Sequence, residues 1–177
     1  MKLMMPFANG FEEIEALAVV DILRRAGIET EMIGVVGSVI SGAHGIRVVM
    51  DKRLNEIRIE NYDGIILPGG SLGYKNLGKS KAIMDAIKQF NERGKLVAAI
   101  CASPMLLAKA GVLENRKATI YPGLESKIPY PRSDKVVVDG NVITSQAPGT
   151  AIAFALAIVE YFLGHEKAEK IKRIIVA

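Results

Sequence analysis

Near the middle of its 177 residues the chain reads Leu96-Val97-Ala98-Ala99-Ile100-Cys101-Ala102-Ser103-Pro104. The first five residues are all apolar, which predicts a strand that is buried on both faces of a sheet. Ser103 and Pro104 predict the start of a helix, because a proline in the first turn removes no hydrogen bond that the helix needs. Cys101 therefore lies at a predicted elbow between a buried strand and a helix.

Strands and helices alternate on both sides of this elbow. Apolar runs predict strands over residues 2–7, 28–36, 64–67 and 96–100, with a short strand at the sheet edge over 46–50. Residues 135–138 and 142–144, joined by Asp139-Gly140-Asn141, predict a small β-hairpin. Helical spacing predicts helices over 11–26, 81–93, 151–163 and the C-terminal residues, and another that opens at Ser103-Pro104 and ends at Gly111. This order predicts an α/β fold, doubly wound, with a mostly parallel sheet sandwiched by helices.

The composition limits the classes of protein. A chain of 177 residues suits one domain over 1–177, with no internal repeat or linker. A net charge of +4 with 6% aromatic residues and no Trp gives no basic patch with stacking rings, so we expect no nucleic-acid partner. The apolar runs are shorter than the roughly 20 residues that span a bilayer, and the N-terminus resembles a first strand more than a signal peptide. We therefore expect no membrane partner.

The chain contains a single cysteine. It cannot form an internal disulfide or a multi-cysteine metal site, and it fits a reducing compartment, so a cytoplasmic location is expected. At the elbow, backbone N–H groups and the helix dipole favour an anion, which predicts a lowered thiol pKa and a nucleophilic Cys101. An inert buried cysteine is the alternative, and the sequence position favours neither.

Two other strand ends carry candidate site residues. Gly69 and Gly70 follow a short apolar strand and could offer their N–H groups to an oxyanion, although an ordinary turn explains them equally well. Glu15 lies in the first turn of the predicted helix 11–26, where an inward orientation would raise its pKa and suit it to carry a proton. Glu13 is followed by apolar residues at the same helical spacings as Glu15. Alternatively, Glu12, Glu13 and Glu15 could all simply complement the helix dipole.

Several motifs together resemble those of the ThiJ/PfpI superfamily, most closely its DJ-one branch. They are Gly10-Phe11-Glu12-Glu13-Ile14-Glu15, Leu67-Pro68-Gly69-Gly70, Ala98-Ala99-Ile100-Cys101-Ala102-Ser103-Pro104 and Ser145-Gln146-Ala147-Pro148-Gly149-Thr150. The resemblance extends over nearly the whole chain. It implies a flavodoxin-like fold, a homodimer and a strained backbone at the elbow residue.

The resemblance also assigns roles to residues. Cys101 would be the nucleophile and Glu15 the carboxyl that hydrogen-bonds its sulfur, while the amides of Gly70 and Ala102 would form the oxyanion hole. Arg25 matches an arginine at the dimer interface near the active site. Gly69 and Pro148 belong to the matched motifs and are further candidates for contact with a substrate or a partner subunit.

Two departures from the family pattern concern histidine. PfpI-type proteases have a histidine directly after the cysteine, where this chain has Ala102, and the DJ-one branch often has one where this chain has Tyr121. A Cys-His triad is therefore not visible in the sequence. His44 occupies an interface position of the branch and could reach the Cys101 of a partner subunit, or else lie on a surface loop. His165 is expected at the surface.

The resemblance implies an enzyme of the glyoxalase or deglycase type. Cys101 would attack α-oxoaldehydes, or their adducts on proteins and nucleotides, without glutathione, a metal or an organic cofactor. A redox sensor or chaperone with an oxidisable Cys101 is the first alternative. A PfpI-like cysteine peptidase or amidase is the second, and the absence of a histidine beside Cys101 counts against it.

Overall fold

The computed structural model describes residues 1–177 and contains nine strands and six α-helices. The strands are β1 (Lys2–Phe7), β2 (Glu29–Gly34), β3 (Val39–Ser41), β4 (Arg47–Val49), β5 (Lys52–Arg53), β6 (Gly64–Leu67), β7 (Leu96–Ile100), β8 (Val136–Asp139) and β9 (Val142–Ser145). The helices are α1 (Glu13–Ala26), α2 (Gly73–Lys79), α3 (Lys81–Glu92), α4 (Pro104–Lys109), α5 (Ala151–Leu163) and α6 (His165–Ile175).

Seven strands form the central sheet in the order β5-β2-β1-β6-β7-β9-β8. Every neighbouring pair is parallel except β8 and β9, which form the predicted antiparallel hairpin. The chain is therefore a flavodoxin-like α/β protein, as expected. The carboxyl ends of β1, β6 and β7 lie side by side, and ligands gather at this edge in such folds.

Helices cover both faces of the sheet. Leu96, Ala98 and Ile100 of β7 face one apolar core with α1, α5 and α6, whereas Val97 and Ala99 face a second core with α2, α3 and α4. Successive side chains of a strand point to opposite faces, so a strand between two cores is apolar throughout. This explains the uninterrupted apolar run that precedes Cys101.

Residues 46–50 contain the predicted strand, but the prediction that this strand lies at the edge of the central sheet was wrong. β4 pairs with β3 in a separate two-stranded antiparallel sheet, and the edge of the central sheet is the two-residue strand β5. Most side chains of β3 and β4 are not fully buried. A solvent-facing hairpin does not need the apolar pattern that makes a central strand easy to recognise.

The helix α2 was not predicted. Its sequence holds two glycines, which disfavour helix formation, and only Leu77 among its apolar side chains is fully buried. The tertiary structure supplies the support, since the Gly73 amide donates to the Gly10 carbonyl (2.9 Å). No helix of the protein is both long and apolar enough to span a membrane.

Candidate active site

Cys101 occupies the elbow between β7 and α4 in a left-handed backbone conformation, with a φ of 64°. Such a conformation costs a non-glycine residue about 1–3 kcal/mol and persists only where its surroundings hold it. Here the Cys101 amide donates to the Ser145 carbonyl (3.0 Å), and its carbonyl accepts from the Tyr121 amide (2.9 Å). The strained elbow that the family resemblance implied is therefore present.

The half-buried side chain of Cys101 opens into a cavity of about 670 Å³ at the carboxyl edge of the sheet. Glu12 and Glu15 line this cavity from the start of α1, and Gly70 and Ala102 line it beside Cys101. The structure thus brings the predicted carboxyl, cysteine and oxyanion-hole residues to one place.

Glu13 and Glu15 are both buried, but only Glu15 of the two lines the cavity, whereas Glu13 bonds to His44 instead. Glu15 Oε2 accepts a hydrogen bond from the Gly69 amide (3.0 Å), and Glu15 Oε1 is buried without a hydrogen-bond partner. Burial raises the pKa of Glu15 to about 7, and the charge of Glu12 adds to this, although Cys101 and the Gly69 amide oppose it. Glu15 therefore exchanges its proton near neutral pH.

The prediction that the elbow lowers the thiol pKa was wrong for the resting site. Burial raises the pKa of Cys101 to about 12, and the neighbouring Glu15 carboxylate raises it further, while hydrogen bonds from the Gly70 and Ala102 amides act in the opposite direction. The following helix, α4, has only six residues, and two amides do not offset both burial and a like charge. The thiol and the carboxyl therefore compete for protons as a coupled pair.

Gly69 and Gly70 allow the close approach of three chain segments. A Cβ atom on Gly69 would lie 2.3 Å from Glu15 Oε2 and 2.6 Å from the Cys101 Cβ. Gly70 has a φ of 98°, and a Cβ there would lie 2.2 Å from the Gly10 carbonyl oxygen. These glycines let the loop after β6 pass between the helix that carries Glu15 and the elbow that carries Cys101.

His44 lies on the turn between β3 and β4 and lines the same cavity as the Cys101 of its own chain. Its backbone amide donates to Glu13 Oε1 (2.7 Å), and its Nδ1 lies 2.9 Å from Glu13 Oε2 and 3.6 Å from Glu12 Oε2. Its side chain is 70% exposed. Atoms of Glu12, Glu13 and His44 that could bind a metal lie within 4.8 Å of one another. Because these side chains already pair with each other as ions, we assign no metal to the cluster.

The remaining predicted residues divide into two groups. Tyr121 and Pro148 line the cavity. Arg25 does not: it is exposed at the far end of α1 and pairs with Asp21 (2.7 Å), so within one chain it has no contact with the pocket. His165 is exposed near Glu160, as expected.

Sequence reasoning did not identify Ser103 or the α2 residues Tyr74 and Lys75. Ser103 is fully buried, and its hydroxyl donates to the Pro68 carbonyl (2.6 Å), which ties the elbow to the glycine loop. Tyr74 and Lys75 line the cavity but lie in the helix that was not predicted. The position of Ser103 in the elbow motif was the one available signal.

The protein is a flavodoxin-like protein with a largely parallel sheet. Its site combines a cysteine at a strand-to-helix elbow with a buried carboxyl group on a neighbouring helix, and these two features define its class. The model of the DJ-1/PfpI family matches residues 1–161. The chain belongs to the DJ-1/PfpI family, and its similarity is to the DJ-1-like branch.

Individual relatives agree with this assignment. Protein DJ-1 homolog B of Arabidopsis thaliana is 38% identical over 97% of this chain, which spans only 40% of that relative's length. A deglycase of Pyrococcus abyssi is 34% identical over 90% of this chain and 98% of its own. The solved structure of oxidized Toxoplasma gondii DJ-1 superposes with a TM-score of 0.96 at 36% identity, covering 99% of this chain and 97% of that one.

Proposed function

We propose that this protein is a cysteine-dependent enzyme of the glyoxalase or deglycase type. Its substrates are α-oxoaldehydes or the adducts that they form on proteins and nucleotides, and it needs neither glutathione nor a metal. The observation that carries this proposal is the pairing of Cys101 with Glu15, a buried carboxyl that exchanges protons near neutral pH, in one open cavity. The cavity exceeds a free three-carbon aldehyde in size, which leaves room for an adduct. The relative from Pyrococcus abyssi is named a deglycase.

The first step uses Glu15 as a general base. With a pKa of about 7, a substantial fraction of Glu15 is ionised at neutral pH and can accept the thiol proton as the sulfur attacks the aldehyde carbon. A carbon–sulfur bond forms, the carbonyl electron pair moves to oxygen, and the proton on Glu15 then passes to that oxygen to give a hemithioacetal. This route does not require a free thiolate, which the raised pKa of Cys101 disfavours.

The next steps move a second proton and release the product. Glu15 removes the proton from the carbon that bears sulfur as the neighbouring carbonyl oxygen gains a proton, which gives an enediol. A proton then returns to the neighbouring carbon, and the hydroxyl beside sulfur loses its proton to become the carbonyl of a thioester. Water then attacks the thioester carbonyl, a hydroxy acid such as lactate leaves, and the thiol is restored. The Gly70 and Ala102 amides, which favour negative charge on the resting sulfur and so act to lower its pKa, are suited to stabilise the developing oxyanion. For an amine adduct, loss of the amine first regenerates the aldehyde.

Turnover of methylglyoxal to lactate, measured without glutathione and after chelator treatment, tests this proposal. We expect activity in the native protein and a loss of about 100-fold or more in Cys101→Ser, since the hydroxyl is a much weaker nucleophile. Ser126→Ala, at an exposed serine that does not line the cavity, serves as the control. Full turnover by Cys101→Ser would require the proposal to be abandoned, and Cys101-dependent hydrolysis of casein would indicate the peptidase alternative instead.

A redox-sensing or chaperone function is the second candidate. Cys101 is partly accessible, the chain has no second cysteine to form a disulfide, and a protonated Glu15 could donate a hydrogen bond to a sulfinic acid. The Toxoplasma relative was solved in an oxidized form. Intact-protein mass after mild peroxide decides between the two: selective gain of two oxygen atoms by a protein without aldehyde turnover favours sensing.

A homodimer is part of the same proposal. Ile14 on α1 and Val39, Ile46 and Val49 on the adjacent β3–β4 hairpin are exposed apolar side chains, and a second copy of this chain would cover them. We expect light scattering to give the mass of a dimer, which Val49→Glu should lower. Val138→Glu should not lower it, because this exposed valine lies on β8, an edge strand of the central sheet outside the apolar patch. A cytoplasmic location is also proposed, since a single unpaired cysteine suits a reducing compartment.

A further inference from the structure

The cavity holds a second carboxyl group, Glu12, that the proposed reaction does not use. Glu12 precedes Glu15 by three residues at the start of α1, a spacing that places two side chains on one helix face, and both line the cavity. Only 14% of the Glu12 side chain is exposed. The Glu12 amide donates to the Gly69 carbonyl (3.1 Å), while the Gly69 amide donates to Glu15 (3.0 Å), so one loop residue holds both positions.

His44 supplies the opposite charge. Its ring nitrogen lies 3.6 Å from Glu12 and 2.9 Å from Glu13, and its backbone amide anchors it to Glu13 (2.7 Å). The hydrogen bond to Glu13 raises the pKa of His44, and the charges of Glu12 and Glu13 raise it further, so the ring favours the charged form. Burial resists ionisation of Glu13, but its hydrogen bonds with His44 lower its pKa and keep it negative.

We propose that Glu12 and His44 are positioning residues that together set the pH at which the Glu15–Cys101 pair releases its first proton. The negative charge of Glu12 raises the proton affinity of the pair, and the positive charge of His44 partly cancels this effect. Neither residue needs to touch the substrate. The link between this pH and turnover rests on the proposed function, whereas the titration of the pair itself does not.

Few other charges surround the pair. From α2, Lys75 and Tyr74 line the cavity, and from the segment after α4, Tyr121 does so. Lys75 is exposed, as His44 is, but it forms no ion pair with Glu12, whereas the His44 ring lies 3.6 Å from that carboxylate. Glu12 and His44 are therefore the charged groups best placed to tune Glu15 in opposite directions.

The rate of Cys101 alkylation by iodoacetamide, followed from about pH 5 to pH 9, tests the inference. Only the thiolate reacts, so the midpoint of the first rise reports loss of the first proton from the pair. We expect Glu12→Gln to lower this midpoint and His44→Gln to raise it, each by about half a pH unit or more, which is about a threefold change in rate below the midpoint. Glutamine at position 44 can still donate to Glu13.

Three further variants complete the test. Glu12→Gln/His44→Gln should return the midpoint close to the native value, and Glu166→Gln on distant α6 should leave it unchanged. Glu15→Gln should replace the two-step profile of the pair with one rise, that of Cys101 alone. Shifts of the same sign in both single variants, or no shift in either, would overturn the inference. Because alkylation needs no aldehyde, these outcomes are independent of whether methylglyoxal is turned over; if it is, its kcat/KM profile should shift with the same signs.

Discussion

Glu15 and Cys101 face each other across Gly69, a residue whose missing side chain provides the space between them. An added Cβ would stand 2.3 Å from the Glu15 carboxyl oxygen and 2.6 Å from the Cys101 Cβ. The two groups come from segments 86 residues apart in the chain, and the loop after β6 holds them together. The chemistry of the site therefore depends on a backbone that passes closely between them.

Replacement of Gly69 by alanine should damage this arrangement. The new methyl group would displace Glu15 or the elbow, with an expected cost of about 1–3 kcal/mol in the free energy of unfolding and a large loss of methylglyoxal turnover. Gly149→Ala is a matched control, because nothing lies within 4 Å of a Cβ at that position. Urea denaturation and turnover of both variants check the prediction; equal behaviour would contradict it.

Glu15→Gln should lower activity strongly while preserving the fold. Glutamine occupies the same space and can accept the Gly69 hydrogen bond, but it cannot take the thiol proton. Loss of a general base typically costs about 100- to 10,000-fold in rate. We expect kcat for methylglyoxal to fall within this range and the rise of activity near pH 7 to disappear. A variant that kept the native pH profile would exclude Glu15 as the base.

The same substitution should stabilise the protein at alkaline pH. The pKa of Glu15 is raised to about 7 in the folded state by burial, so the folded state binds its proton more tightly than the unfolded state. Stability is therefore lost as pH rises from about 4.5 through 7, by up to about 3 kcal/mol. Glu15→Gln removes this loss, and its advantage over the native protein in urea denaturation should be larger at pH 8 than at pH 5.

Ser103→Ala should lower the stability of the protein, because it removes a hydrogen bond that ties the elbow to the glycine loop. The Ser103 hydroxyl donates to the buried Pro68 carbonyl (2.6 Å), and its loss leaves that acceptor unpaired. The expected cost is about 1–3 kcal/mol. Ser126→Ala, at an exposed serine, should change stability by less than about 0.5 kcal/mol. Thermal unfolding of the two variants compares them directly, and a neutral Ser103→Ala would show that this bond does not hold the loop.

A cluster formed by Glu31 with Lys2, Lys52 and Tyr62 should make the free energy of unfolding fall at acidic pH. Burial would raise the pKa of Glu31, but hydrogen bonds from Tyr62, Lys2 and Lys52 outweigh it and lower the pKa to about 2. The folded state then favours the ionised form, so this stabilisation is present above about pH 4.5 and is lost as pH falls toward 2. Partial exposure of both lysines screens their charges and limits it to about 2 kcal/mol.

Tyr62→Phe tests this cluster, because it removes the hydroxyl that donates to Glu31 and keeps the buried ring. We expect a smaller difference in unfolding free energy between pH 6 and pH 3 than in the native protein. Tyr130→Phe, at an exposed tyrosine, should leave that difference unchanged.

Local signals in the sequence were sufficient for most of the fold. The apolar run of β7 and the helix over Ala151–Leu163 have the predicted bounds. Gly27 ends α1 with a φ of 86°, as its position after Arg24 and Arg25 predicted. The predictions that failed, the partner of β4 and the helix α2, concern elements with few buried side chains, whose position depends on contacts with distant residues.

The amino-acid sequence by itself determined the order of the strands and helices with buried apolar faces and the presence of Cys101 at an elbow, because apolar periodicity, proline and glycine act on neighbouring residues. Only the tertiary structure decided that Glu15 points inward, that His44 meets Glu13, and that burial raises both pKa values in the pair. These properties arise from segments dozens of residues apart that the sheet brings within a few ångströms, where loss of water and nearby charges change proton affinity.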